Sequence, residues 1–474
     1  MNKKLTALLI LCLTLLLASC AQKVPDAVET PSASVPAEPS VQPSEAQPSV
    51  SVQTAAEVFL HEEPSASEVG RYLTENASSL TSFEGDLLLE RLILLQQDVA
   101  YMMNVSIWDG AYMSALNDTM GGVLDPSKID DIEDVEVKSA FSEAMAALMT
   151  VVRYEETPVF EMNWKQLESI SGAFSPDADD MIVYRSRLQG NTYVGDPMNF
   201  DLLAADIAGV EEKLDALDNG FVSWQLRKVF TNQVGNLIVG PEGSFLDEYT
   251  DKNSAYNLRL QKYAGMYGGR FGEICQNLYA LKNEDSQTVM DYLSGALIFP
   301  PDYPLTAEII VTEENGAWLS VPVLSGEDGA LTDKLNGAIR DTGISMIEDG
   351  RIDQTVSNYV TVSGDYMSIT FACGYLDDES QYHYVETGLV LDLTTGERVT
   401  LDDLVGIPFE SYKDALLAAM RGYTIPTGLS QPFEISLTDS GMTLSLPSES
   451  GGWPDYYSVT FNGLRNFMDI SRLY

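Results

Sequence analysis

Few side chains in this chain of 474 residues are placed to do chemistry. It has two histidines, His61 and His383. They are too far apart for an H-x-x-x-H or H-E-x-x-H pair, which excludes the common zinc-hydrolase patterns. His383 lies between Tyr382 and Tyr384 and follows Asp377, Asp378 and Glu379. Aromatic rings supply contact area and carboxylates attract cations, so these six residues form a candidate recognition patch for a basic partner. The competing expectation is an ordinary hairpin loop with one half-buried strand. A single histidine without ligands at metal spacing makes no metal site, and no cofactor is expected.

Two carboxylate clusters, Asp177-Ala178-Asp179-Asp180 and Asp130-Asp131 with Glu133-Asp134, are rich enough in oxygen for calcium, but neither follows the EF-hand loop. The second suits a helix N-terminus, where negative charge meets the helix dipole. Gly265-Met266-Tyr267-Gly268-Gly269-Arg270-Phe271-Gly272 could cradle a phosphate. It follows a helical pattern rather than a strand and lacks the Lys-Ser/Thr ending, so a tight helix–helix turn is expected instead. There is no G-x-S-x-G elbow. Paired carboxylates for glycoside hydrolysis need proximity in space rather than in sequence, and that alternative stays open.

These groups need a scaffold, and the chain begins with a leader. Lys3 and Lys4 precede an apolar run from Leu5 to Leu17 that is too short to span a bilayer comfortably, followed by Ala18, Ser19 and Cys20. Residues 1–19 are therefore expected to be a signal peptide. Leu17-Ala18-Ser19-Cys20 resembles the lipobox of bacterial lipoproteins. The resemblance implies that Cys20 is diacylated, becomes the first mature residue and holds the protein on the outer face of the cytoplasmic membrane. Two acyl chains anchor stably where one does not. Residues 20–55 are then the lipidated cysteine and a Pro/Ser/Glu-rich stalk too poor in large apolar residues to fold. Cys12 would leave with the leader, and Cys275 and Cys373 are not expected to form a disulfide framework.

A formal net charge of -44 opposes nucleic acid and anionic lipid headgroups and attracts basic proteins. The length implies two folded domains. Residues 56–301 show helical periodicity, with a capping box at Thr81-Ser82-Phe83-Glu84, a long apolar helix that could break between Ser106 and Asp109, and a second helix from Asp125-Pro126 to about Tyr154. The role of this helical domain is not legible. Pro300-Pro301 is the expected boundary. In residues 302–474 the period becomes alternating, with hairpin signals at Asn315-Gly316, Gly364-Asp365 and Asp439-Ser440-Gly441. The fold class expected is a mainly α-helical N-terminal domain followed by an α+β domain with an antiparallel sheet.

Several stretches of the last third carry a second resemblance: Val321-Pro322-Val323-Leu324-Ser325-Gly326 with Leu335-Asn336 and Ile339, then Tyr366-Met367-Ser368-Ile369, Leu391-Asp392-Leu393-Thr394-Thr395-Gly396-Glu397 and Leu401-Asp402-Asp403-Leu404. Together they resemble the extracellular module of lysozyme-sensing anti-sigma factors and of some peptidoglycan deacetylases. That family usually has Gly-Gly-Ala-His before the strand that ends in the Asp392-to-Glu397 turn, whereas this chain has Glu379-Ser380-Gln381-Tyr382-His383-Tyr384 and keeps only the histidine. The resemblance implies a non-enzymatic sensing or scaffold module whose partner is a basic wall-associated protein such as lysozyme, or another cell-wall component. The alternative is a hydrolase of peptidoglycan or another glycan. A solute-binding lipoprotein would need an alternating βα pattern that the helical half lacks.

Overall fold

The computed structural model describes residues 54–154, 157–190, 199–217, 220–239, 254–347, 352–376, 382–422, 426, 428–429, 433–446 and 455–473. They form two compact units that part between Asp179 and Asp180.

The first unit is mainly helical. Helices α1 (Ala55–His61), α2 (Ala66–Asn76) and α3 (Ser82–Ser106) each start with a capping box, on Thr54, Ser65 and Thr81. Asp109 caps the short α4 (Gly110–Ser114), so the long helix does break where the sequence suggested. After α5 (Val135–Ala146) the expected helix does not continue to Tyr154. Leu148 takes φ +54, and β1 (Met149–Tyr154) pairs antiparallel with β2 (Thr157–Met162). The β-branched run Thr150-Val151-Val152 suits a strand better than a helix interior. Asn104 on α3 then anchors the hairpin by accepting the Phe160 amide at 2.7 Å. Phe141, Phe160, Leu116 and Met103 centre this unit's core. The short α6 (Trp164–Glu168) follows, and α7 (Pro176–Gln189) runs across the boundary.

The second unit begins with helices α8 (Phe200–Ala216), α9 (Phe221–Ile238), α10 (Ala255–Met266), α11 (Gly269–Ala280) and α12 (Ser286–Ala296). Strands β3 (Leu305–Glu314) and β4 (Ala317–Gly326), helix α13 (Gly329–Ser345), and strands β5 (Ile352–Ser363), β6 (Tyr366–Leu376) and β7 (Tyr382–Asp392) make a five-stranded sheet in that spatial order. Every pair is antiparallel except β4–β5, which α13 joins as a parallel crossover. Leu335 and Ile339 of α13 pack onto Leu319, Ile369, Phe371 and Leu391, the core of this sheet. Helices α14 (Leu401–Val405) and α15 (Phe409–Ala419) lead to a three-stranded sheet of β8 (Glu434–Thr438), β9 (Gly441–Leu446) and β10 (Asp455–Thr460), ordered β10-β9-β8 and followed by α16 (Phe461–Leu464).

Pro300-Pro301, the boundary expected from the sequence, lies inside the second unit. Three features tie the helices to the sheet across it. Phe299 is part of the sheet's core. A Cβ on Gly295 of α12 would stand only 2.9 Å from both Ala307 O and Ile309 N, so the helix meets the backbone of β3 directly. Arg227 of α9 holds Asp302 through Nε, at 2.8 and 3.2 Å to the two carboxylate oxygens, with both side chains nearly buried.

The residues that carry the resemblance of the last third do structural work here. Asn336 on α13 bonds both the amide and the carbonyl of Leu324, at 2.7 and 2.9 Å. The Asp392 carboxylate accepts the Thr394 and Thr395 amides at 2.8 and 2.9 Å, with Gly396 at φ +69 completing the turn. Lys334 on α13 donates to Thr395 O at 2.9 Å and so clamps that turn to the helix.

Candidate functional site

Side chains alternate along a strand, so neighbours in sequence face opposite ways. This separates the predicted patch. His383 stands opposite Tyr375 in the β6–β7 ladder and stacks on it, with ring centroids 5.2 Å apart. Tyr375 belongs to the buried core, so His383 sits on the α13 side of the sheet. Tyr384 is on the other side, and its hydroxyl donates to Glu386 at 2.5 Å. Tyr382 lies in β7 opposite Leu376. Its side chain, together with Asp377, Asp378, Glu379 and Cys20, falls outside the described residues.

Glu386 leads to a feature the sequence did not reveal. The three-stranded sheet lies against the outer face of the five-stranded one, with β8 as the nearer strand. Ser368 accepts the Leu437 amide at 2.9 Å and Thr370 bonds Ser436 at 3.0 Å. At the seam, Gly388 is the only residue type that fits, because a Cβ there would collide with Ile435 O and lie 2.9 Å from Ser436 Oγ. A groove of about 180 Å³ opens between the sheets, walled by Tyr359, Thr370 and Glu386 on one side and Glu434, Ser445 and Tyr456 on the other. Glu434, Ser445 and Tyr456 stand directly opposite one another across β8, β9 and β10, so they share that sheet's polar face.

The two carboxylates of the groove are held differently. Glu434 accepts Thr387 Oγ1 on both oxygens, at 2.8 and 2.9 Å, and the Gly388 amide at 2.9 Å, which straps β8 to β7. Glu386 accepts from Tyr384 and also from Tyr456. Burial, reinforced by that bond to Glu386, pushes the Tyr456 hydroxyl above its ordinary value, so it stays a protonated donor. None of the described residues lining the groove is basic. The site therefore offers carboxylate and hydroxyl oxygens beside aromatic edges and no competing cation. The period-two spacing of Tyr384, Glu386 and Gly388 was a usable signal for one face of a strand, but the β8 partner across the groove left no local mark.

The other candidates resolve structurally. Asp177 and Asp179 lie in the first turn of α7, and Asp179 accepts the Gly172 amide at 3.1 Å. Asp130 pairs with Lys138 at 2.8 Å. Among the described residues, no three His, Cys, Asp or Glu side chains gather as a metal ion would require. Cys275 and Cys373 are buried thiols that are not joined in a disulfide. Among the described residues no helix is long and apolar enough to cross a membrane. No protein-family model matches the chain, and no curated protein matches it.

Proposed function

We propose that this is a lipid-anchored extracytoplasmic binding protein, held at the outer face of the cytoplasmic membrane by Cys20 and taking a basic partner in the groove between its two sheets. The observation that carries the reading is the groove lining: Glu386 and Glu434 with Tyr384 and Tyr456 at hand, and no lysine or arginine among the described lining residues. A chain of net charge -44 draws cationic partners over long range, and a carboxylate fixed by hydroxyl donors recognises a cation at short range. The leader and lipobox supply the location. Hydrolysis by Glu386 and Glu434 is the weaker reading, because both Glu434 oxygens already serve as the strap to β7.

Salt separates specific docking from bulk attraction. The screening length falls from about 10 Å at 0.1 M to about 3 Å at 1 M ionic strength, while buried contacts are spared. The full chain titrated with lysozyme should keep measurable affinity at the higher salt, whereas an unrelated protein of equal positive charge should not. Glu386→Gln together with Tyr384→Ala should weaken the lysozyme complex about tenfold. Equal behaviour of the two basic proteins, or indifference to the double substitution, removes the reading.

A further inference from the structure

From the outer face of the five-stranded sheet we infer a docking surface for a basic amphipathic helix, running from Trp318 to Tyr384 beside the groove. This rests on the binding reading above and names the shape of the partner. One row of the sheet is continuous across all five strands. Glu313 faces Trp318, Trp318 faces Thr355, Thr355 faces Gly374 and Gly374 faces Tyr384. Directly opposed residues share a face. The row therefore has a large aromatic near each end and small residues between.

Trp318 is 55% exposed and Val311, diagonal to it on β3, is 48% exposed. Trp318 and Tyr384 are three strand spacings apart, about 14 Å at about 4.8 Å per step. A helix with its side chains is about 10–12 Å across, so it fits between the two rings over the small floor. The next row, Ser357, Ala372 and Glu386, keeps the floor low and ends at the groove carboxylate. Glu313 closes the opposite end. Carboxylates at both ends of this trough of small residues complement lysines of the helix, while Trp318, Val311 and Tyr384 give its apolar stripe contact.

An extended partner would have to pair with a sheet edge, and each edge is covered along part of its length. On β7 the Gly388 amide goes to Glu434 at 2.9 Å, Val390 O accepts Val399 N at 2.8 Å and the Asp392 amide goes to Glu397 O at 2.9 Å. On β3 the backbone of Ala307 and Ile309 is met by Gly295 of α12. This partial cover leaves less edge than face for a partner.

The test uses the full chain and two synthetic peptides without tryptophan. One is an 18-residue (roughly five-turn) leucine–lysine amphipathic helix. The other has the same composition with its leucines reordered and two residues replaced by proline in both peptides, internal in the second and terminal in the first. The helical peptide should bind about tenfold tighter than its interrupted isomer. It should shift tryptophan emission in the wild type and not in Trp318→Phe, and Trp318→Ala should cost about tenfold in affinity. Equal affinity for the two peptides, or an unchanged titration with Trp318→Ala, overturns the helix-docking face. The lysozyme titration then decides separately whether the groove takes a basic partner.

Discussion

Glu211 on α8 closes the N-terminus of α11: its carboxylate accepts the Phe271 amide at 3.1 Å and the Arg270 amide beside it. The glycine-rich loop that could have cradled a phosphate is thus filled by the chain's own anion. Glu211→Ala should lower stability by about 1.5–3 kcal/mol, the usual worth of a charge-assisted hydrogen bond in a partly buried place. Urea unfolding of the full chain followed by circular dichroism measures it. Gly269→Ala should act in the same direction, since Gly269 has φ +64 and a Cβ would lie 2.8 Å from the Glu211 carboxyl carbon.

The Arg227–Asp302 pair sets the minimal folded fragment. Residues Asp180–Tyr474 should melt cooperatively, and Asp302–Tyr474 should not, because it lacks Arg227 and the α12 cover on β3. Within the full chain, Arg227→Ala leaves Asp302 buried without its ion partner and should cost about 3–5 kcal/mol. Differential scanning calorimetry of the two fragments and the variant gives the answer directly. A cooperative transition in the shorter fragment would restore the boundary at Pro300-Pro301.

Asp439, at the β8–β9 turn, has one carboxylate oxygen sealed from solvent without a hydrogen-bond partner. Burial pushes its carboxyl well above the ordinary value, against the pull of Lys228 and Arg185. The folded state then holds a proton that the unfolded state releases. Its contribution to stability is fully present below the unfolded value near 3.8 and is lost as pH rises toward the folded one. Asp439→Asn should flatten that decline. Unfolding midpoints from pH 4 upward, wild type against variant, measure it.

Burial pushes the Cys275 thiol up to about 12, so at pH 8 only about one molecule in ten thousand carries the thiolate. Cys275 and Cys373 should resist a thiol reagent in the native protein and react only on unfolding. Rapid labelling of either in buffer would show that the second unit opens.

Cys20→Ala should abolish acylation and leave the precursor unprocessed or free in the medium. Metabolic labelling with a fatty-acid analogue tests it, and unchanged label on the variant would remove the lipid anchor.

The legible parts of the sequence were the local ones. Thr81 and Glu84 announced their capping box, Asn315-Gly316 its hairpin, and Gly396 its turn, because each is decided within a few residues. The helix expected to reach Tyr154 failed at Leu148, where a hairpin anchored by the distant Asn104 overrode helical spacing. The groove was hidden for the same reason. Glu386 and Glu434 are far apart in sequence, with a turn and two helices between them, and the close approach permitted at Gly388 helps bring their strands together. His383 and Tyr384 were grouped as neighbours, though strand alternation sends them to opposite sides.

Strand β8 is five residues long and is gripped at both ends. Glu434 holds its start on β7, and Asp439 just past its end interacts with Lys228 and Arg185. The same five-residue strand thus carries the Glu434 strap at one end and the buried Asp439 carboxyl just past the other. A substitution at either end therefore has only one short strand to cross before it reaches the other, so the groove wall and the buried carboxyl share their local stability.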